Sequence, residues 1–331
     1  MVIEVTNLPP DVDDPESAAP ANSDATEPAH EADESSAAPR WRPARRSGPP
    51  APGALTVTMA LVMVLSVVAA FFGAFAFGLS GLQEQRSQHI DYASLRGLLD
   101  PTSAVAPYIG GKIPAGAPIA LMNAPRGGLH DTVVVEGTSA GDLLAGPGHL
   151  ASTPLPGQAG NAVVLGKGAT AGAPFSRLTA LRRGDDVAVR TGQGLFHYRV
   201  RGKIVNGGRL PRIPSTSGFL VLGTSLGSGT FASLSPSRVV YVYAQLEGRA
   251  VPAPRGRPRT VPASQLPGHN DPGAWPFVAL WLAVLLGASA ACWWLWSWWG
   301  LLRTWIIGAP VLLGILWALS DEAIRLLPNV Y

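Results

Sequence analysis

The chain has 331 residues, of which 47% are hydrophobic and 14% are charged. This length accommodates one sizeable domain with additional segments, and the composition implies neither a wholly disordered chain nor a polytopic transporter. The formal net charge is only +3 and comes mostly from arginines spread along the chain, so nucleic acid is not an expected partner.

The first segment is an acidic tail with a basic end. Residues 1–39 contain ten Asp or Glu residues and no Lys or Arg. Such a composition does not bury enough apolar surface to fold, so we expect residues 1–53 to be a disordered tail. Four arginines stand near its end: Arg40, Arg42, Arg45 and Arg46.

A transmembrane helix is predicted at residues 54–82. The uncharged apolar run from 55 to 82 exceeds the roughly 20 residues that a helix needs to cross the hydrocarbon core. The arginines immediately before it place the N-terminus in the cytoplasm by the positive-inside rule. A cleaved signal peptide is the alternative, with Ala74, Phe75 and Ala76 as the cleavage pattern, but the run is long and begins late in the chain.

Two more apolar segments stand near the C-terminal end. Residues 274–299 form a second predicted transmembrane helix, with tryptophans at both ends that suit the headgroup level. Residues 302–320 form the third, whose uncharged part is at the lower edge of spanning length. If it spans, residues 321–331 form a tail outside the cell; if it is an interfacial helix, they stay inside. We therefore expect a multi-pass protein of the cytoplasmic membrane.

The chemistry-bearing residues give little support for a metal or a cofactor, and neither is expected. The single cysteine, Cys292, lies in the second predicted span, so the outer domain has no thiol and no disulfide. Six histidines include no close pair at metal-ligand spacing. We expect His149 to pack within a loop, His197 to be one side chain of a strand face, and His130 to lie in an exposed turn.

Between the spans, short β-favouring runs alternate with Gly and Pro, which is typical of an all-β barrel or sandwich. The runs are 119–122, 132–136, 162–165, 186–190, 195–205, 219–222 and 238–246. One helix is predicted at 173–181, because Pro174 suits a first helical turn and the following apolar residues share a face. The domain boundaries are a stalk at 83–105, the barrel at 106–247 and a Pro/Arg-rich linker at 248–273, which is either a solvated spacer or a contact for anionic headgroups.

Several motifs within this region resemble those of one family. They are VVVEG at 133–137, GPGH at 146–149, PGQAGN at 156–161, GAPFSRL at 172–178 and RGD at 183–185. On these motifs, residues 110–246 resemble a sortase, closest to the actinobacterial class E type. The resemblance implies a mainly β fold with a closed eight-stranded barrel. It also implies descent from membrane-anchored cysteine transpeptidases, which cut a sorting signal in a surface protein and transfer it to an amine.

The resemblance implies three catalytic positions, of which two are changed. Lys167 stands where the family has histidine, Ser225 stands where it has the nucleophilic cysteine, and Arg238 keeps the family's arginine. A serine hydroxyl needs a base to remove its proton, and a lysine with its ordinary pKa of about 10.4 is protonated at neutral pH. We therefore expect a degenerate, inert site.

Three functions are compatible with this sequence. The first is a pseudo-sortase at the cell surface that binds or scaffolds sorting-signal-like peptides, using Arg238 and the loop at 226–233. The second is an active serine transpeptidase or hydrolase, with Ser225 as nucleophile, Lys167 as a desolvated base and Arg238 as oxyanion stabiliser. The third is a structural accessory of a membrane complex, because small residues four apart allow its helices to approach a membrane-protein partner or each other.

Overall fold

The computed structural model describes residues 53–100, 102, 106–205, 217–227 and 236–330. The predicted acidic tail lies outside the described residues except for Gly53. Most of the loop at 226–233 and part of the end of the predicted stalk also lie outside them.

Three helical stretches in the described part of the chain are long and apolar enough to cross a membrane: Ala54–Leu99, Pro272–Trp299 and Leu301–Leu326. The first consists of α1 (Ala54–Ala74), a π-helical turn (Phe75–Leu79) and α2 (Ser80–Leu99). The other two contain α3 (Trp275–Trp299) and α4 (Leu301–Ala323). Gly300 separates α3 from α4 with a φ of +82°, which residues with a side chain rarely adopt. The prediction of one N-terminal and two C-terminal helices of spanning length is confirmed.

The predicted stalk is a helix that packs on the barrel. Gln88 of α2 donates from Nε2 to the backbone carbonyls of Val133 (3.1 Å) and Ala145 (2.8 Å), and its Oε1 accepts from the Val133 amide (2.8 Å). These bonds satisfy both polar ends of one half-buried side chain. The helix that follows the apolar run is thus held along the barrel wall.

Eight strands close into a barrel, which confirms the predicted fold class. They are β1 (Pro118–Ala124), β2 (Leu129–Glu136), β3 (Gly148–His149), β4 (Gly160–Leu165), β5 (Asp186–Thr191), β6 (Gly194–Val205), β7 (Gly218–Gly227) and β8 (Pro236–Leu246). Their order around the barrel is β1-β2-β3-β4-β7-β8-β6-β5. The β2–β3 and β4–β7 pairs are parallel and the others are antiparallel.

Alternating side chains fill the barrel. In β5, Val187 and Val189 are completely buried while Asp186 and Arg190 face outward, which is the period-two pattern of a half-buried strand. A tight turn then pairs Thr191 with Gly194 and fixes the register of β5 against β6. The result is one apolar core to which all the longer strands contribute.

The helix predicted at 173–181 is wrong. The only helical turn in this stretch is a short 3₁₀ turn at Leu178–Ala180, and Ala173 has a φ of +47°, outside the helical region. Phe175, Leu178 and Leu181 are nevertheless completely buried in the barrel core. Their spacing therefore reflects an irregular loop that is pinned by its apolar side chains.

The linker is also more ordered than a solvated spacer. Val251 bonds to the barrel on both sides, since its amide donates to the Gly157 carbonyl and its carbonyl accepts from the Ala159 amide, each at 2.9 Å. Further along, Arg257 donates from Nη2 to Glu136 Oε1 (2.7 Å). Arg257 of the linker therefore points its Nη2 into the protein, where it pairs with Glu136.

Candidate functional site

The parallel pairing of β4 with β7 brings Lys167 and Ser225 to the same end of the barrel. Leu165 is in register with Gly223, and the Gly166 amide donates to the Gly223 carbonyl at 3.0 Å. A Cβ on Gly168 would lie 2.5 Å from the Ser225 carbonyl oxygen. The chain leaving β4 therefore runs directly against the end of β7, where Ser225 follows Thr224.

Lys167 is completely buried. Its Nζ has no hydrogen-bond partner within the part of the chain that the structure describes. Burial lowers the pKa of this lysine from 10.5 to about 8, because an ammonium group in an apolar surrounding loses its hydration. Phe175 packs against the segment that carries Lys167. Its amide donates to the Lys167 carbonyl at 3.1 Å, and a Cβ on Gly166 would lie 2.6 Å from its ring.

Ser225 is 7% exposed and its polar groups are both engaged by the same acceptor. The hydroxyl donates to the Val330 carbonyl at 2.6 Å, and the Ser225 amide donates to that oxygen at 3.3 Å. Thr224 Oγ1 is buried and, among the described residues, lacks a partner. The hydroxyl proton of Ser225 is thus directed at a carbonyl oxygen and not at a base.

Arg238 lies on β8 beside this point, but its side chain is exposed. The register pairs Arg238 with Leu226 and pairs the next residue, Val239, with Ser225. The strand pairing therefore brings all three candidate catalytic positions to one edge of the barrel. It does not bury the guanidinium of Arg238 with Lys167.

The carbonyl on Ser225 belongs to a segment that sequence reasoning left without a role. Beyond α4 and a 3₁₀ turn at Ile324–Leu326, the chain becomes extended at Leu327, as expected before Pro328, and continues to Val330. We call residues 327–330 the tail segment. Val330 is 1% exposed and packs with Leu143 and Leu165. The tail segment therefore contacts the barrel.

Asn329 fixes the tail segment through its side chain and its backbone. Its Nδ2 donates to the carbonyls of Thr138 (2.7 Å) and Leu266 (3.0 Å), and its Oδ1 accepts from the Gly268 amide (2.9 Å). Its own amide donates to the His269 carbonyl at 2.9 Å. A completely buried amide side chain with this many partners stabilises one specific arrangement. The only sequence signal for this docking is Pro328, which ends the helix, followed by an aliphatic residue in a tail expected to be solvated.

A second buried polar group lies elsewhere in the barrel, and we call it the His149 cluster (His149, Glu136 and Arg257). Glu136 bonds to His149 Nδ1 (2.9 Å) and to Arg257 Nη2 (2.7 Å), while His149 Nε2 lies 2.8 Å from the Pro154 carbonyl. All three side chains are at most 9% exposed. The expected loop-packing role of His149 fits this paired arrangement.

His130 and His197 are both exposed on strands, His197 on the outer face of β6. His130 is the second residue of β2 and does not lie in a turn, contrary to the prediction. Across the described ranges, no group of three or more His, Cys, Asp or Glu residues is placed to hold a metal ion.

Comparison with known proteins connects this geometry to a family. The model of the sortase domain matches residues 122–216. No curated protein matches the chain.

Among solved structures, sortase E from Streptomyces avermitilis is 30% identical; the match covers 41% of this chain and 92% of that one, with a TM-score of 0.33. The SrtA sortase from Actinomyces oris is 24% identical, with 51% and 97% covered and a TM-score of 0.38. A Clostridium perfringens sortase D5 transpeptidase is 18% identical, with 49% and 99% covered and a TM-score of 0.39. The matched residues include the end of β1 and all of β2 to β6, and the chain therefore carries a sortase domain.

Proposed function

We propose that this chain is a catalytically inactive, class E-type sortase homologue that holds its barrel on the outer face of the cytoplasmic membrane and binds peptides there without cutting them. Three helices of spanning length and the arginines before the first of them support the location and the orientation. The 30% identity to a sortase E supports the class. The sorting-signal peptides of the family are the expected ligands.

One observation carries the inactive assignment. The hydroxyl of Ser225 donates to the Val330 carbonyl at 2.6 Å, while the Nζ of Lys167 has no hydrogen bond to any described residue. A general base must lie within hydrogen-bond reach of the proton that it removes. The Ser225 hydroxyl therefore has no base to remove its proton, and Lys167 is not hydrogen-bonded to a proton that it could remove.

A serine–lysine enzyme is the second candidate, and the burial of Lys167 is the observation that favours it. With a pKa of about 8, roughly a tenth of this lysine is neutral at pH 7, whereas an ordinary lysine is almost wholly protonated. If the Ser225 hydroxyl turned from Val330 to Lys167, the pair would form a nucleophile and its base. Activity from such a pair would rise with pH up to and beyond about 8.

Peptide cleavage separates the two candidates. The full chain in mild detergent is incubated with sorting-signal peptides and an amine at pH 7 and pH 9, next to Ser225→Ala and Lys167→Ala. The inactive assignment predicts uncleaved peptide under all conditions. Cleavage that increases at pH 9 and disappears in both variants would establish the enzyme instead.

A gain-of-function variant tests whether only the reactive groups are missing. Ser225→Cys combined with Lys167→His restores a thiol and an imidazole at the two changed positions, and Asn329→Ala releases the tail segment that covers them. We expect transpeptidation from this triple variant. The matched control replaces Lys167→His by Lys167→Met and keeps the other two changes, so that it has the thiol but no imidazole and stays inactive.

A further inference from the structure

The tail segment covers the Lys167–Ser225 site in the manner of a bound peptide. Its contact with β7 is a backbone carbonyl held by two donors of a single residue, Ser225. Its aliphatic side chain, Val330, fills an apolar depression lined by Leu143 and Leu165, with Val163 and Tyr241 at the edge. A backbone hydrogen bond combined with one side-chain pocket is how extended peptides are recognised on sheets.

Asn329 supplies the specific part of this contact. Three backbone carbonyls, with that of Ser264 the most distant at 3.4 Å, and one backbone amide surround its carboxamide, and each is placed for the matching donor or acceptor of an asparagine. Aspartate has no donor for the carbonyls, and an alanine would remove the carboxamide partner of the Thr138 carbonyl and of the Gly268 amide. A site of this kind discriminates against residues that lack the amide, because buried polar groups left without partners cost free energy.

The tail segment leaves two polar groups of the site without hydrogen-bond partners among the described residues. Thr224 is the residue before Ser225 and Lys167 follows the strand that pairs with β7; their Oγ1 and Nζ atoms are buried, and neither hydrogen-bonds to the tail segment or to any other described residue. In a settled protein core, buried polar groups are normally paired. Two buried polar groups without partners are expected when they face a ligand-binding position that the tail segment fills only in part.

We infer that the tail segment is an intramolecular ligand of the Lys167–Ser225 site, and that the site recognises an asparagine followed by a branched aliphatic residue. A peptide with this pattern from another chain binds only when the tail segment leaves, so the tail segment sets the threshold for binding in trans. This inference rests on the proposed peptide-binding function. It adds the sequence pattern of the ligand and the way in which the tail segment regulates binding.

Thiol labelling of the full chain tests the inference. Cys292 is the only cysteine, so Cys292→Ala with Ser225→Cys leaves one thiol, which lies under Val330. We expect slow alkylation by a maleimide in this background. Adding Asn329→Ala removes the carboxamide that anchors the tail segment, and alkylation should accelerate by about tenfold or more.

Two further variants keep the test informative. Val330→Asp should accelerate alkylation as well, because a carboxylate does not fit the apolar depression. Ser264→Ala is the matched control, since Ser264 contacts Asn329 through its backbone carbonyl only and the substitution leaves that carbonyl in place. Circular dichroism confirms that each variant keeps its strands. Unchanged alkylation in both folded variants of the tail segment would overturn the inference.

The trans arm uses a synthetic peptide with the sequence of residues 324–331. Added to the Asn329→Ala chain, it should slow alkylation again, while the same peptide with alanine in place of asparagine should not. Equal protection by both peptides, or by neither, would contradict recognition of the asparagine. Cleavage of the peptide would refute the inactive assignment and leave the protection by the tail segment intact, so the two failures are distinguishable.

Discussion

The barrel contains two buried polar groupings that differ in how completely they are paired. In the His149 cluster, Glu136 has a partner for each carboxylate oxygen and both ring nitrogens of His149 have partners, while Arg257 Nη1 alone is buried without one among the described residues. In the Lys167–Ser225 site, the lysine ammonium and the Thr224 hydroxyl have none among the described residues. Both groupings are equally inaccessible, so burial by itself does not identify a functional site.

The difference shows which of the two is structural. A paired cluster repays the cost of burying its charges and holds the linker on the barrel through Arg257. An unpaired buried lysine destabilises the fold, because no hydrogen bond or ion pair offsets the loss of its hydration. Such destabilising residues are found at positions that have, or once had, a role in binding or catalysis. The following substitutions break or sharpen this contrast.

The largest effect is expected at Arg257. Arg257→Met leaves the carboxylate of Glu136 buried with only His149 as a partner, and removing one member of a buried ion pair costs about 3 to 5 kcal/mol. The urea-unfolding midpoint of the full chain in detergent should fall accordingly. Arg259→Met is the control, because Arg259 is exposed and its loss should change stability by less than about 0.5 kcal/mol. A small effect at Arg257 would refute the structural role of the cluster.

At Lys167, the opposite sign is expected. The folded-state pKa of about 8 lies below the unfolded value of 10.5, so the unfolded chain binds the proton more tightly and the protonated lysine destabilises the fold by about 3 kcal/mol at pH 7. Lys167→Met should therefore raise the unfolding midpoint at pH 7. The gain should shrink as the pH rises from 8 to 10.5, because the folded protein loses the penalty when the lysine becomes neutral.

The control for this pH dependence is Lys112→Met. Lys112 is exposed, so its replacement should neither stabilise the chain nor change the slope of stability against pH. If Lys167→Met destabilised the chain at pH 7, Lys167 would have a stabilising partner and the contrast between the two groupings would disappear.

The smallest effect is expected at two threonines that differ only in their pairing. Thr224→Val replaces an unpaired buried hydroxyl with a methyl group and should stabilise the fold by up to about 1 kcal/mol. Thr138→Val removes a hydroxyl that donates to the Gln265 carbonyl at 2.6 Å and should destabilise it by about 1 kcal/mol. Both residues are completely buried, so equal effects would show that pairing does not decide the outcome.

The barrel was predictable because its signals are local. Strands such as β5 alternate apolar and polar residues, and the turn residues between strands mark their ends. The two-residue β3 carries no such pattern and was missed. The loop at 173–181 was assigned to a helix because its apolar spacing imitates one, although Phe175 and Leu178 enter the core from an irregular backbone.

The residues of the site were predictable from the sequence, but the burial of Lys167 and the covering of Ser225 were not. The motifs identified the positions of Lys167 and Ser225, and strand register then placed them together. The desolvation of Lys167 follows from its complete burial in the folded barrel, and the covering of Ser225 depends on Val330, which follows more than one hundred residues later. Contacts between segments so distant in sequence leave no periodic signal in either of them.

Covalent labelling of Ser225 tests the central claim most directly. The full chain is treated at pH 7 and pH 9 with a fluorophosphonate, which phosphonylates serine hydroxyls that a base activates, and its intact mass is measured beside that of Ser225→Ala. An unreactive hydroxyl under the tail segment predicts that the mass of both proteins stays unchanged at either pH. A single adduct on the unmodified chain that is absent from Ser225→Ala would contradict the account.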